Sequence, residues 1–267
     1  MTALPAALVA ALAGVLGLAI GSFLNVVAYR VPRGESVVRP ASACPCCGSP
    51  IRGRHNVPVL GWLVLRGRCY DCGAPISVRY PVVELGTGGL FALAGWRFAA
   101  HPALLGAYLL FAAVAVALTL IDLDVRRLPD VIVLPAYPVL AVLLALDADG
   151  ERLLRAGLGA GLLFAFFLVV ALAAPGAMGF GDVKLAGVVG AMTAYLSWGA
   201  FLTSALGAFV LGSLAGLLLI VVRQAGRRTA VPFGPFMLTA AWVSLLGADG
   251  LGEAYLHGLA GQGRLLS

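Results

Sequence analysis

Eight apolar runs decide what this chain can fold into. A helix needs about 20 mostly apolar residues to cross a bilayer. Runs of that kind lie at 4–29, broken only by Ser22 and Asn25, and near 82–96, 103–121, 131–146, 156–174, 183–198, 199–222 and 232–250. The stretch from 183 to 222 is nearly unbroken, and a turn is expected around Ser197–Gly199. Hydrophobic residues are 61% of the 267 and charged residues 11%, against roughly 25% charged in a soluble domain. Too little polar surface remains to cover a water-soluble globule. A soluble enzyme, a disordered tail and a secreted disulfide scaffold are excluded. The reading is an all-α polytopic membrane protein with about eight transmembrane helices. The first run does not read as a signal peptide, because no Lys or Arg precedes it and it is too long.

The net charge of +6 comes from 18 basic and 12 acidic residues, and Lys184 is the single lysine. Eight arginines (Arg30, Arg33, Arg39, Arg52, Arg54, Arg66, Arg68 and Arg79) fall in the polar stretch after the first run. Arg126 and Arg127 follow the third run, and Arg223, Arg227 and Arg228 the seventh. If eight helices alternate, these 13 of the 17 arginines share one side; Arg97, Arg152, Arg155 and Arg264 take the other. The positive-inside rule then places the N-terminus outside and the 30–80 segment in the cytoplasm. The basic charge is thus a topology signal, and no nucleic-acid partner is expected. The chain divides into a first transmembrane helix (1–29), a cytoplasmic cysteine-rich domain (30–80), a membrane domain of helices 2–8 (81–250) and a C-terminal tail (251–267).

All five cysteines lie between residues 44 and 72. Cys44–Cys47 and Cys69–Cys72 are two C-x-x-C pairs with 21 residues between them, each followed by a glycine, Gly48 or Gly73. Four thiolates at this spacing suit a tetrahedral structural zinc ion. The alternatives are four buried thiols with no metal and, weaker still in a reducing cytoplasm, two disulfides. A loop this poor in large apolar side chains draws much of its folding energy from the metal. Cys46 is a spare thiol, and His55 reads as solvated rather than as a ligand.

The 12 acidic residues can be judged singly. Glu35, Asp71, Asp147, Asp149, Glu151, Asp249 and Glu253 read as solvated surface charges. Glu84, Asp122, Asp124, Asp130 and Asp182 lie near helix ends on the arginine-rich side. Asp122 ends the third run and Asp182 opens the sixth, at the same expected membrane face. A carboxylate there is costly unless paired, hydrated or used. Two carboxyls brought together share one proton; the ionised one can then activate a water while the protonated one polarises a carbonyl. Gly179 and Gly181 would let an extended substrate backbone come close. The bland alternative is that each Asp caps a helix or pairs with Arg126, Arg127 or Lys184. Asp124 rivals Asp122; two residues apart on a helix they face different ways, so only one can meet Asp182. Asp130, after Pro129, suits a first helical turn and reads as a capping or positioning residue.

At this point the residues resemble those of the prepilin peptidases, the type IV leader peptidases of type IV pilus and type II secretion systems. The resemblance begins at Gly21–Pro32 and takes in both cysteine pairs, Asn56–Trp62, Leu65–Cys69 and Ile76–Glu84. It continues through Ile121–Asp130, Gly179–Lys184 and Pro232–Pro235, and so covers most of the chain. It implies a membrane aspartyl protease of the GxGD type in the bacterial inner membrane, acting on prepilins or pseudopilins. The family's first catalytic Asp precedes the Pro of its (Leu/Ile)-Pro-(Asp/Asn) motif, here Pro129, by seven residues, which selects Asp122 over Asp124; the second is Asp182. Lys184, Asp130 and Glu84 are positioning candidates, as are Arg30 and Arg79; Glu84 could equally anchor a helix end by pairing with Arg79. Members with the long cysteine loop often also methylate the new N-terminal residue with S-adenosylmethionine. Cys46 stands where the family commonly has His and Gly61 where it has Ser. No Rossmann-type glycine fingerprint marks an S-adenosylmethionine site. The competing class is a non-enzymatic membrane protein, a zinc-stabilised assembly scaffold or a transporter.

Overall fold

The computed structural model describes residues 4–174, 178–222, 232–248, 250–252, 254 and 256. Arg223, Arg227, Arg228, Asp249, Glu253, His257 and Arg264, and most of the expected tail, lie outside the described residues. The described residues are helical, with no strand beyond two isolated bridges. Their long helices are α1 (Ala6–Arg30), α3 (Arg79–Arg97), α4 (Pro102–Val125), α5 (Asp130–Ala145), α6 (Gly150–Ala173), α7 (Phe180–Leu196), α8 (Trp198–Val221) and α9 (Gly234–Val243). Each overlays one apolar run. A five-residue helix, α2 (Leu60–Val64), lies within the cysteine-rich loop. The α1 segment, α4, α6 and α8 are long and apolar enough to cross a membrane; α5 and α9 are shorter apolar helices. The α7–α8 break falls at Ser197, whose hydroxyl accepts the Ala200 N–H at 2.9 Å and caps α8.

The chain forms two compact units, residues 1–121 and 122–267. In the first, α1 and α3 pack antiparallel along a stripe of small residues. A Cβ on Gly17 would lie 2.7 Å from Phe91 Cβ, and one on Gly95 would lie 2.9 Å from Ala10 Cα. Small residues let helix backbones approach where lipid supplies no hydrophobic drive between helices. Buried Asn25 donates to the Gly21 carbonyl at 3.2 Å and keeps its amide satisfied within α1.

In the second unit α7 is the central helix. Val183, Leu185, Val189, Met192 and Tyr195 are fully buried, as befits a helix apolar on every side. It crosses α6 where Gly159 and Gly190 face one another so closely that a Cβ on either would strike the other's carbonyl. It runs parallel to α5, held at one end by Asp130 and Lys184 and at the other by the Tyr195 hydroxyl, which donates to Asp147 at 2.9 Å. The three guanidinium contacts of Arg155, to the carbonyls of Ala194, Tyr195 and Leu196, satisfy the last turn of α7. Two expectations need correcting here. Asp147 is not a solvated loop charge: its side chain is 16% exposed and faces Arg152 and Tyr195. Asp149 caps α6 by accepting the Arg152 N–H at 3.0 Å.

Candidate active site and metal centre

Asp122 sits one turn from the C-terminal end of α4, and α7 carries Asp182 in its first turn. Asp122 is 5% exposed, whereas Asp124 points outward. Asp182 is the third residue of α7; its backbone N–H donates to the Gly179 carbonyl at 3.0 Å, and the Gly179 N–H faces its carboxylate. The Asp182 side chain thus makes only the N3-to-N-cap half of a capping box, in a turn where the helix dipole favours negative charge. The first turn of α9 supplies the third wall. The Gly234 N–H is directed at the Asp122 carboxylate, and a Cβ on Gly234 would stand 2.9 Å from Asp122 Oδ2.

Leu128 ties these pieces together. Its side chain lies 3.5 Å from a Cβ placed on Gly234, and its Cβ 2.9 Å from one placed on Gly181. The end of α4 and the starts of α7 and α9 therefore converge, and the Asp122 charge acts on Asp182. Asp122 Oδ2 and Asp182 Oδ1 are buried with no hydrogen-bond partner among the described residues. A buried carboxylate oxygen left unpaired carries a large desolvation penalty, and native structures accept it where the group is used or where a water or ion completes it.

The other expected site residues fall in different places. Lys184 grips both carboxylate oxygens of Asp130, at 2.7 and 2.8 Å, and so pins the start of α7 to the start of α5. Gly179 is open, with only Asp182 Oδ2 near its missing side chain. Gly181 is not: the space it leaves is filled by Leu128. Glu84 belongs to the first unit. Its buried carboxylate accepts the Val59 N–H at 2.7 Å and ties α3 to the cysteine-rich loop. Gly234 and Leu128 received no role from sequence alone. The signal was present, since Gly234 lies in the Pro232–Pro235 motif and Leu128 sits between Arg127 and Pro129.

The cysteine loop folds as two matching knuckles. In the first, the Gly48 N–H returns to the Cys44 carbonyl and the Cys44 N–H bonds the Ser49 carbonyl, both at 2.9 Å. In the second, Gly73 returns to Cys69 at 2.9 Å and Cys69 bonds the Ala74 carbonyl at 2.8 Å. Gly48 and Gly73 both adopt φ of +71°, a conformation that costs a side-chain-bearing residue energy. The sulfurs of Cys44, Cys47, Cys69 and Cys72 all lie within 4.8 Å of one another, and those of Cys44 and Cys72 are 3.8 Å apart. A tetrahedron with metal–sulfur bonds of about 2.3 Å needs an edge of about 3.8 Å. The cluster can therefore hold a metal ion.

Its protonation points the same way. Hydrogen bonds from the Ser49 hydroxyl, and then from its backbone N–H, hold the Cys47 thiol down at about 6. The backbone N–H groups of Cys72 and Asp71 lower Cys69. The Ala74 N–H also pulls Cys72 down, but desolvation and the neighbouring sulfurs of Cys47, Cys69 and Cys44 push it up to about 12. Four sulfurs this close ionise together only if a cation shares their charge. Cys46 is exposed, and His55 lies against the Tyr70 ring, centroids 5.0 Å apart, rather than in the cluster.

Comparison with known proteins identifies the family. The model of the bacterial peptidase A24 N-terminal domain matches residues 15–98. That of the type IV leader peptidase family matches residues 109–221. A prepilin leader peptidase/N-methyltransferase of Pseudomonas aeruginosa is 35% identical over 91% of this chain and 91% of its own length. Proteins of the same name are 38% identical in Pseudomonas putida, over 89% and 90% of the two chains, and 35% identical in Neisseria gonorrhoeae, over 91% and 92%. No solved structure matches the chain. With identity at this level along nearly the whole sequence, and both family domains in order, this chain belongs to the type IV leader peptidase family.

Proposed function

We propose that this protein is a membrane-embedded aspartyl endopeptidase that removes the leader of type IV prepilins and pseudopilins, with Asp122 and Asp182 as its catalytic residues. The observation that carries the reading is the pair of buried carboxylate oxygens on α4 and α7, without a hydrogen-bond partner among the described residues and walled by the first turn of α9. A scaffold has no use for such a pair. With one proton between them, the ionised carboxylate takes a proton from water and the protonated one hydrogen-bonds the scissile carbonyl. The water oxygen adds to the carbonyl carbon. Collapse of the tetrahedral adduct breaks the C–N bond, and a carboxyl proton goes to the leaving amine. Gly179 leaves room for an extended substrate backbone beside Asp182. Lys184 and Asp130 fix the start of α7.

The orientation follows from the arginines: N-terminus outside, with the 30–80 segment and the aspartates at the cytoplasmic face of the inner membrane. A basic prepilin leader would then stay in the cytoplasm while its apolar segment lies in lipid. We assign zinc to Cys44, Cys47, Cys69 and Cys72; when bound, it supplies cross-linking energy to a loop with little core. The names of the relatives support a second activity, N-methylation of the new N-terminal residue with S-adenosylmethionine. An assay with a candidate prepilin, with and without S-adenosylmethionine, tests both activities by mass spectrometry of the new N-terminus. Asp122→Asn and Asp182→Asn should each lower cleavage by at least about a hundredfold while the protein still inserts, and Asp124→Asn should stay within a few-fold. Cleavage retained in either of the first two would remove the dyad.

A further inference from the structure

Within the cysteine-rich loop, α2 has two unlike faces. Gly61 is buried, and a Cβ there would strike the His55 carbonyl. The Trp62 indole N–H donates to the Ile76 carbonyl at 3.1 Å, and its ring lies against Gly67. These residues hold the inner face on the loop. The outer face is Leu60, Leu63 and Val64, at i, i+3 and i+4, which are 59%, 55% and 74% exposed. Three large aliphatics on one face of a helix are costly in water, and the loop covers none of them.

Two observations say what does. Val59, the residue before α2, gives its N–H to Glu84, the sixth residue of α3, at 2.7 Å. Side chains on a helix lean toward its N-terminus, so this bond holds α2 level with the first turns of α3, where the second apolar run begins. In addition, exposed Arg54, Arg66 and Arg68 flank α2 in sequence. Arginine heads beside an apolar helical face match the boundary between anionic headgroups and acyl chains.

We infer that α2 is an interfacial helix that docks the metal-bearing loop on the anionic surface of the bilayer in which this protein sits, with Leu60, Leu63 and Val64 among the acyl chains. Glu84 is then the tether that sets its depth. The inference concerns α2 and lipid alone and is independent of the peptidase reading.

Photocrosslinking of the full chain tests it. Val64, or in a second variant Leu60, is replaced by p-benzoylphenylalanine, and the protein is reconstituted in nanodiscs containing phosphatidylglycerol and phosphatidylethanolamine. Leu93, 49% exposed on α3, carries the same label as a lipid-facing reference. Irradiation should add the mass of a phospholipid at position 64 or 60 with a yield within a few-fold of that at 93. A lipid adduct at 93 and none at 64 or 60 would overturn the inference. So would crosslinks from 64 or 60 that go only to protein, whether this chain or an added prepilin.

Discussion

Lys184 and Asp130, 54 residues apart, meet through both carboxylate oxygens at 2.7 and 2.8 Å. The pair joins the first turns of two parallel helices, and Lys184 lies two residues from Asp182. Asp130 is 55% exposed, so the pair adds no more than about 1 kcal/mol to stability. Its value lies in placement, since a misplacement of about 1 Å can cost a reaction roughly a hundredfold. Asp130→Asn and Lys184→Gln should leave thermal stability nearly unchanged and lower prepilin cleavage about tenfold. The exchange Asp130→Lys with Lys184→Asp should recover part of that loss. Equal losses in the single and exchanged proteins would mean that the two residues act separately.

The glycines around the aspartates should differ in their tolerance of a methyl group. At Gly234 the added carbon meets Asp122 Oδ2 at 2.9 Å, and at Gly181 it meets Leu128 Cβ at the same distance. Both are closer than real Cβ contacts allow. At Gly179 the nearest atom is Asp182 Oδ2 at 3.5 Å, ordinary contact. Gly234→Ala and Gly181→Ala should therefore reduce cleavage by about tenfold or more, at about 1–3 kcal/mol of overpacking each. Gly179→Ala should retain folding and, if substrate backbone lies beside Asp182 as proposed, change KM more than kcat, because the space it fills is otherwise open. The split between KM and kcat across the three variants checks the ordering.

How much of this could be read from sequence varied with the kind of interaction. Helix number and the α7–α8 break were legible because span length and a capping serine act locally, within a few residues of Ser197. The knuckles were legible because both cysteines of each pair, and the glycine that turns the chain, fall within five residues. The convergence at Asp122 was legible only in part. Helical periodicity says that Asp122 and Asp124 face different ways, but which one faces inward depends on Gly234 and Leu128, brought there by packing. The Arg155 and Asp147 contacts were hidden for the same reason. Both looked like loop charges, and each finds its partner on α7 about 40 or more residues away.

Metal retention should depend on pH in a defined direction. Metal binding needs thiolates, so protons compete with it. Cys47 is already held at about 6, whereas Cys72 sits near 12 and must lose its proton on loading. Affinity should therefore rise with pH from 6 to 8 and fall further below 6, where Cys47 also protonates. Metal analysis of protein purified without chelator should find about one zinc per chain, lost on dialysis at pH 5. Cys72→Ser should abolish retention and Cys46→Ser should leave it intact. Full retention in Cys72→Ser would remove that residue from the ligand set.

Arg155 should matter to folding and little to chemistry. Its guanidinium donates to the carbonyls of Ala194, Tyr195 and Leu196 at 2.5–2.9 Å, where the last turn of α7 has no partners of its own. This lies at the far end of α7 from Asp182. Truncation leaves three part-buried carbonyls to find water or go unpaired, at about 1–3 kcal/mol for each unsatisfied group. Arg155→Ala should therefore lower the thermal midpoint in detergent clearly. Arg155→Lys, with one point of donation in place of a planar fork, should recover only part of the difference. Cleavage per folded molecule should stay within about twofold in both variants at a temperature where they remain folded. A loss of cleavage by Arg155→Ala without a shift in the thermal midpoint would assign this residue to the reaction instead of to the cap of α7.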